Sequence, residues 1–200
     1  MNPLPVAIPP LPEGASMAIW PLAALADFAA APGPAEVAVP ETFAGTDAEP
    51  PLYCNRGKWL HPLFDLLELL AGVPGADAAA DGADGADGAD GADGAEERAA
   101  LASHGELFLR DRVIGRAAAF LILRAGIRVA YADLVSDGAA GVFDAAGATL
   151  GWSKRIPAIG CATESLLGDV VDGQVAWEIL QARRAASRGT LPRPPEDPAG

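Results

Sequence analysis

Cysteine is scarce in this chain, which has only Cys54 and Cys161 among 200 residues. The two thiols form no C-x-x-C pair, so the sequence offers neither a zinc ribbon nor a thioredoxin-like redox motif. Two isolated thiols, with no basic leader before the apolar stretch 17–31, are typical of a protein kept in a reducing compartment. That stretch is also too short to span a bilayer. We therefore expect a cytoplasmic protein that has no membrane partner.

Basic residues are few as well. Lys and Arg number 14 against 27 Asp and Glu, which gives a formal net charge of −13 and a pI near 4.4. A protein that binds a nucleic-acid backbone needs clustered Lys and Arg. The charge balance therefore argues against nucleic acid as a partner.

Much of the negative charge lies in a repeat of Gly, Ala and Asp between residues 81 and 95. An EF-hand needs its acids and glycine at other offsets, and calcium-binding β-roll repeats use nine residues. A collagen helix would need proline, which the tract lacks. The pattern predicts a solvated, acidic low-complexity insertion over 74–97, and lengthening a surface loop in this way costs little closure entropy.

The distribution of proline and alanine suggests where the domain begins and ends. Proline recurs throughout residues 1–34, which predicts a largely disordered segment with at most a short helix at 21–30. We expect the folded domain at 35–186, interrupted by the insertion, and a disordered tail at 187–200.

Hydrophobic periodicity predicts alternating helices and strands. The expected strands are 36–39, 52–54, 106–109, 128–135, 149–152 and 156–159. The expected helices are 60–71, 112–125 with Asp111 as N-cap, 138–146 with Ser136 as N-cap, a turn at 161–167, and 173–186. This alternation indicates an α/β fold whose sheet carries helices on both faces.

Three segments together resemble the domain-of-unknown-function family 1893. They are Gly57-Lys-Trp-Leu-His-Pro-Leu-Phe64, Asp111-Arg-Val-Ile-Gly-Arg-Ala-Ala-Ala119 and Gly160-Cys-Ala-Thr-Glu164. The resemblance covers about 51–186. It implies a three-layer cytidine-deaminase-like fold, but the family has no established activity, so the resemblance predicts a fold and not a function.

The ligands of a zinc deaminase are missing from the expected places. Such an enzyme opens one helix with H-x-E and the next with P-C-x-x-C. Here the corresponding segments read Asp111-Arg-Val-Ile-Gly and Ser136-Asp-Gly-Ala-Ala-Gly. Asp111, Asp133 and Asp137 could gather near the sheet edge, although three carboxylates suit Mg²⁺ better than Zn²⁺. We expect neither a bound metal nor a cofactor.

The same region favours a small anionic ligand. Ligands of open α/β sheets lie beyond the carboxyl ends of the strands, where helix N-termini attract anions. The candidate ligand-binding residues are Asp111, Arg112, Gly115, Arg116 and Ser136. The hypothesis is that this deaminase-like domain is a non-catalytic or weakly catalytic binder of a nucleotide-like molecule. The structural alternative is that these residues cap helices and cover the surface.

Two other functions stay open. Cys161, at the start of a helical turn, is the one candidate nucleophile, with Glu164 or Asp111 as its companion and His61 or His104 as distant bases. A buried, inert cysteine is the more common case, and Glu164 suits a capping box. The third possibility is an interaction scaffold that works through its Pro-rich and acidic segments or forms a homo-oligomer.

Overall fold

A mixed five-stranded sheet organises the protein. The computed structural model describes residues 8–25, 50–57, 60–71, 90–103 and 105–189. In chain order the elements are β1 (Met17–Pro21), a 3₁₀ helix (Leu22–Ala24), β2 (Tyr53–Asn55), α1 (His61–Ala71), α2 (Asp90–Ser103), β3 (Leu107–Ile114), α3 (Arg116–Arg124), β4 (Val129–Ser136), α4 (Asp137–Ala145), β5 (Thr149–Ile156), α5 (Ala162–Leu167) and α6 (Gly173–Gly189).

The strands are ordered β2-β1-β3-β4-β5. Strand β1 is antiparallel to both of its neighbours, and β3, β4 and β5 are mutually parallel. Each parallel step is made through a helix, α3 after β3 and α4 after β4, as parallel pairing requires. The fold is thus α/β with a mixed sheet, as the alternation of helices and strands in the sequence predicts.

Strand β1 lies well inside the sheet, which differs from the predicted domain start at residue 35. All five of its residues are buried, and Ile19 pairs with Tyr53 on one side and Leu109 on the other. The apolar run at Met17–Trp20 provides a two-sided buried strand, and Pro21 closes it because proline has no N–H for a ladder. The prolines on either side obscured this strand in the sequence.

The larger core lies between one sheet face and the helices. All six α-helices contribute to this cluster, and the longest buried stretch is Ala117–Ile122 of α3. Phe143 of α4 and Leu121 of α3 are among the largest fully buried side chains. An almost entirely apolar α3 is therefore explained by its contacts with α1, α4, α5 and α6.

The opposite face has a smaller core built from Ala18, Trp20, Leu25 and Phe108. Ile8, Leu11 and Leu22 pack against it together with residues of β4. In the part of the chain that the structure describes, this face is covered by the segment 8–25, whereas the α-helices join the other face. The described residues therefore do not confirm the predicted helices on both faces.

Several element boundaries differ from the sequence-based expectation. Asp111 does not cap a helix, because β3 runs through it to Ile114 and the helix begins at Arg116 after Gly115. The charged run at 110–112 looked like a helix start, but parallel pairing with β4 keeps it extended. One strand, β5 at Thr149–Ile156, also stands in place of the two predicted strands 149–152 and 156–159, and residues 157–159 lie beyond its end.

Of the other predicted elements, some are confirmed, some have different bounds and some lie outside the described residues. Helix α1, strand β4, the Ser136-capped α4 and the turn α5 are confirmed. Helix α2 covers the end of the predicted insertion, and α6 continues past 186 to Gly189. The predicted strand 36–39, most of the helix 21–30, most of the acidic tract and the tail beyond 189 lie outside the described residues. None of the described helices is long and apolar enough to cross a membrane.

The position of β1 makes a prediction for truncated chains. Removing residues 1–34 deletes β1, separates β2 from β3 and leaves the β3 edge of the sheet unpaired. We expect this variant to lose cooperative thermal unfolding, measured by circular dichroism. The control removes residues 1–7 only and keeps every described contact, so it should unfold like the full chain. A cooperative transition in a chain that starts at residue 35 would contradict the assignment of β1 to the core.

Candidate functional site

Helices α3 and α4 both begin at the carboxyl ends of parallel strands. Ser136 is the N-cap of α4, where its Oγ accepts a hydrogen bond from the N–H of Ala139 at 3.1 Å. Gly115 is the N-cap of α3 and has no side chain to do the same. The first turn of α3 therefore needs an acceptor from another part of the chain.

Glu164 of α5 supplies that acceptor. Its Oε2 accepts a hydrogen bond at 2.8 Å from the backbone N–H of Arg116, 48 positions away in the sequence. A carboxylate at a helix N-terminus is favoured both by the free N–H groups and by the helix dipole. The chain's own anion thus occupies the place at which the sequence predicted an external one.

Two glycines make room for this carboxylate. A Cβ added to Gly115 would lie 2.6 Å from Glu164 Oε2, and a Cβ on Gly138 would lie 3.1 Å from Oε1. The capping-box account placed Glu164 on its own short helix, but its observed partner is on α3. The only signal in the sequence was the short C-x-x-E element, because the contact joins segments that are far apart in the chain.

The side chain of Arg116 makes further contacts at the same place. We call the starts of α3 and α4, together with Arg116 and Glu164, the Arg116–Glu164 corner. Its guanidinium donates to the carbonyl oxygens of Gly168 and Val170, the latter at 3.5 Å, in the segment between α5 and α6. Its Nε would lie 2.8 Å from a Cβ at Gly138. Arg116 and Glu164 therefore hold α3, α4 and α5 together at the sheet edge.

The predicted ligand-binding residues do not all meet. Gly115, Arg116 and Ser136 lie at the helix starts, but Asp111 and Arg112 belong to strand β3. Arg112 is exposed and its backbone N–H donates to Ser16 of the segment before β1. Arg112 and Arg116, both inside the predicted helix 112–125, therefore belong to different elements, because the helix begins four residues later than predicted.

Asp111 is instead a shielded carboxyl group within the sheet. It pairs with the fully buried Met17 and Ala132, and its Oδ1 accepts the N–H of Val113 at 3.1 Å. Burial raises the pKa of Asp111 to about 7, although hydrogen bonds from the Val113 and Arg112 N–H groups oppose this shift. The nearby charge of Asp133 adds to the rise.

The three candidate carboxylates do not form a metal site. Asp133 pairs with Arg110 at 2.8 Å, and Asp137 pairs with Arg155 at 2.6 Å. Within the described ranges, no group of three His, Cys, Asp or Glu side chains is placed to hold a metal ion.

Cys161 is the N-cap of α5 and is half-buried. Its backbone N–H donates to Ile159, but its side chain makes no capping bond. His61 is exposed at the start of α1, and His104 lies outside the described residues. Because Glu164 is bound to the N–H of Arg116, the residues that the structure describes do not assemble a base and an acid around this thiol.

A cavity of about 520 Å³ opens beside the Arg116–Glu164 corner. Arg116, Phe120 and Arg124 follow one another at four-residue spacing on its α3 side. The α4 side presents small residues, and the segment 170–173 forms a third wall. The other lining residues are Leu123, Gly138, Gly141, Val142, Ala145, Ala146, Val170, Val171 and Gly173.

The charge that the described lining residues give this cavity is positive. Among the described residues, its only ionisable lining residues are Arg116 and Arg124, eight positions and so about 12 Å apart along α3. Arg124 donates to the neutral Gln174 at 3.2 Å and lies 4.2 Å from the ring centre of Trp177. Within the described ranges, no carboxylate forms an ion pair with Arg124. Sequence reasoning missed this site, although the spacing of Arg116, Phe120 and Arg124 would have signalled it.

A family model matches part of this chain, and that family has no assigned function. Residues 101–183 match the family described as Domain of unknown function (DUF1893). That span runs from the end of α2 into α6, so it contains the corner and the cavity but neither β1 nor β2. The matched range, 101–183, is shorter than the range 51–186 over which the sequence resembles the family.

A solved structure is also similar to this chain. It is a DUF1893 family protein from Thermotoga maritima, 16% identical, with 66% of this chain and 74% of that chain covered at a TM-score of 0.46. No curated protein matches the chain.

The close fit of Glu164 against Gly115 gives a stability prediction. In Gly115→Ala the new Cβ would meet the carboxylate at 2.6 Å and Ile159 Cδ1 at 3.0 Å. We expect a loss of about 1–3 kcal/mol in the free energy of unfolding, measured with urea. Gly141→Ala is the control, since nothing lies within 4 Å of its added Cβ. The control should gain about 0.5–1 kcal/mol because alanine favours the α4 helix. An unchanged Gly115→Ala variant would contradict the packed corner.

Asp111 gives a pH prediction. Its folded-state pKa, about 7, lies above the ordinary aspartate value of 3.8, so between these two pH values the carboxyl group is protonated mainly in the folded state. Its burial therefore lowers stability increasingly between pH 4 and 7, and fully above pH 7. Because the side chain keeps some solvent contact, we expect Asp111→Asn to be about 2 kcal/mol more stable than wild type at pH 8. The difference should nearly vanish at pH 4, and an equal difference at both pH values would contradict the shift.

Proposed function

We propose that this protein binds a small nucleotide-like anion in the cavity between α3 and α4. The observation that carries the proposal is the pair Arg116 and Arg124, which are the only charged groups that the described residues contribute to the lining of a cavity of about 520 Å³. Binding cavities for small molecules measure roughly 300–1,000 Å³ and combine apolar walls with a few polar groups.

The bound carboxylate of Glu164 favours this cavity over the sheet edge. An external phosphate at the start of α3 would have to displace Glu164 from the Arg116 N–H, and the two anions would repel each other. No acidic residue of the described part of the chain lines the cavity, so the charged groups that an anion meets there are the two guanidinium groups. Of the candidate residues from the sequence, the proposed site keeps Arg116 and adds Phe120 and Arg124.

The walls suit a molecule with a flat apolar body and a charged end. Phe120 lies midway between the two arginines, and aromatic rings stack on nucleobases. The glycine surface of α4 at Gly138 and Gly141 leaves space opposite Phe120. Guanidinium groups bind phosphate through paired, charge-assisted hydrogen bonds. A nucleoside monophosphate has both parts within the length of this stripe.

We also propose that the fold is of the cytidine-deaminase-like kind. The strand order β2-β1-β3-β4-β5, with β1 antiparallel to its neighbours and helices starting at the ends of β3 and β4, supports this reading. Gly115 and Ser136 open those helices in place of the zinc ligands of an active deaminase. The proposed role is therefore binding and not zinc-dependent deamination.

The remaining functions stay predictions. Catalysis by Cys161 has no assembled partners among the described residues, and an interaction scaffold or homo-oligomer would use other surfaces. Leu166 and Val175 are exposed apolar side chains outside the cavity lining that such a surface could include. The cytoplasmic location likewise remains an expectation from the sequence.

The binding proposal is tested by calorimetric titration with AMP, CMP, GMP and UMP. We expect at least one to bind with a Kd below about 1 mM. The matching nucleoside should bind at least about tenfold more weakly, because it lacks the charge-assisted bonds to arginine. Ala145→Trp, at an exposed α4 position in the cavity wall, should abolish binding without unfolding the protein.

Ala71→Trp is the matched control, since Ala71 is an exposed helix residue outside this cavity. It should bind the nucleotide as wild type does. Absence of binding by all four monophosphates would refute the proposal, and so would unchanged binding by Ala145→Trp.

A further inference from the structure

Two arginines line the cavity between α3 and α4, the first cavity, but they have different partners. The Nη1 atom of Arg116 donates hydrogen bonds to the carbonyl oxygens of Gly168 and Val170. These bonds hold the segment that links α5 to α6 against the start of α3. The half-buried guanidinium of Arg116 is therefore already engaged in a contact within the fold.

A carboxylate lies beside the same guanidinium. The position of an added Cβ at Gly138 is 2.8 Å from Arg116 Nε and 3.1 Å from Glu164 Oε1, so both groups border one glycine. Glu164 also accepts the backbone N–H of Arg116 at 2.8 Å. A phosphate that approached this end of the cavity would be repelled by the charge of Glu164, because like charges interact strongly at short range.

Arg124, at the other end of the stripe, has neutral partners. Its Nη1 donates to Gln174 Oε1 at 3.2 Å, and its guanidinium carbon lies over the Trp177 ring, 4.2 Å from the ring centre. Within the described ranges, its Nε and Nη2 have no hydrogen-bond partner. Arg124 is exposed, so these N–H groups can bind an anion in the paired geometry that suits phosphate.

Two acidic side chains near the start of α6 are bound to other groups. Asp172 Oδ1 accepts the backbone N–H of Gln174 at 2.8 Å, and Glu178 Oε1 accepts the side-chain amide of Gln174 at 3.0 Å. Across the part of the chain that the structure describes, no acidic residue forms an ion pair with Arg124. The positive charge of Arg124 is therefore available to a ligand.

A second cavity, of about 580 Å³, lies between α1, α3 and α6 and is also lined by Arg124. Acidic side chains are present on that side, where Glu68 binds Arg184 and Asp65 lies 4.0 Å from the same arginine. The described lining of the first cavity contains no acidic residue. An anion therefore approaches Arg124 more favourably from the first cavity.

We infer that Arg124 alone holds the anionic group of the ligand, while Arg116 keeps the segment 168–170 in place as a wall of the first cavity. The flat body of the ligand then extends from Arg124 along Phe120 toward Gly138. This orientation rests on the proposed function, but the anion site at Arg124 can be tested without a nucleotide. Trp177 reports on that site, since an anion that binds Arg124 changes the charge over the indole ring.

The test is a titration of the full chain with inorganic phosphate at constant ionic strength, followed by tryptophan fluorescence. We expect a saturable change in emission with a midpoint below about 10 mM, as a charge-assisted pair of hydrogen bonds provides. Trp177→Phe should lose this change. Trp152→Phe, which removes a tryptophan of β5, is the matched control and should keep it.

Variants of the arginines assign the anion to one of them. Arg124→Gln should lose the phosphate response, and Ala145→Trp, which fills the first cavity, should lose it as well. Arg128→Gln is the matched control, because Arg128 is exposed and lines neither cavity, and it should respond as wild type does. Arg116→Gln and Arg116→Lys should both keep the midpoint, since each retains a donor for the carbonyls of the segment 168–170.

Calorimetric titration of the same variants with a nucleoside monophosphate and its nucleoside tests the orientation. Arg124→Gln should reduce the monophosphate to the affinity of the nucleoside, a loss of at least about tenfold. Arg116→Gln should preserve the difference between the two ligands. Circular dichroism of each variant checks that the fold is retained.

Three results of the phosphate titration would overturn the inference. They are no saturable change in the wild type, a response that survives Arg124→Gln or Trp177→Phe, and a response that folded Arg116→Gln and Arg116→Lys both lose. A phosphate response at Arg124 without binding of any nucleotide would support the anion site and refute the nucleotide-like ligand. Nucleotide binding that Arg124→Gln leaves unchanged would overturn the anion site and leave the binding proposal standing.

Discussion

The hydrogen bond from the first N–H of α3 to Glu164 is the constraint that decides where this protein can accept an anion. It joins α5 to the end of the parallel sheet, and the Arg116 side chain repeats the link to Gly168. Both glycines that surround the carboxylate are needed because side chains there would occupy its space. With this bond made, the helix N-terminus is already satisfied and an incoming anion must be sought elsewhere.

The position of Arg116 and Arg124 then follows from the same corner. Once α3 begins at Arg116, the helical repeat places Phe120 and Arg124 along one stripe beside α4. Glycines and alanines on α4 leave space opposite that stripe. Two cavities result because α3 borders α4 on one side and α1 with α6 on the other, and Arg124 contributes to both.

The sheet changes the environment of Asp111 and with it the pKa of its carboxyl group. In the sequence it looks like a helix cap, exposed and ionised. In the fold it lies in β3 between Met17 and Ala132, where burial raises its pKa to about 7. Arg110 and Asp133, its neighbours in β3 and β4, form an ion pair with each other, and no arginine of the described ranges forms an ion pair with Asp111. The charge state of this carboxyl group is therefore set by strands distant in the sequence.

Strong periodicity and recognisable caps were enough to predict several local elements, such as α1, β4 and the Ser136-capped α4. The alternation of these elements also predicted the α/β class, and the residue types at two predicted helix starts excluded the zinc ligands of a deaminase. Those features depend on neighbours a few residues apart, which a linear pattern records. The place of β1 inside the sheet, the extension of β3 through Asp111 and the capping of α3 by Glu164 became visible in three dimensions. Strand pairing and contacts across 48 residues depend on which surfaces meet in space, and no local pattern encodes that meeting.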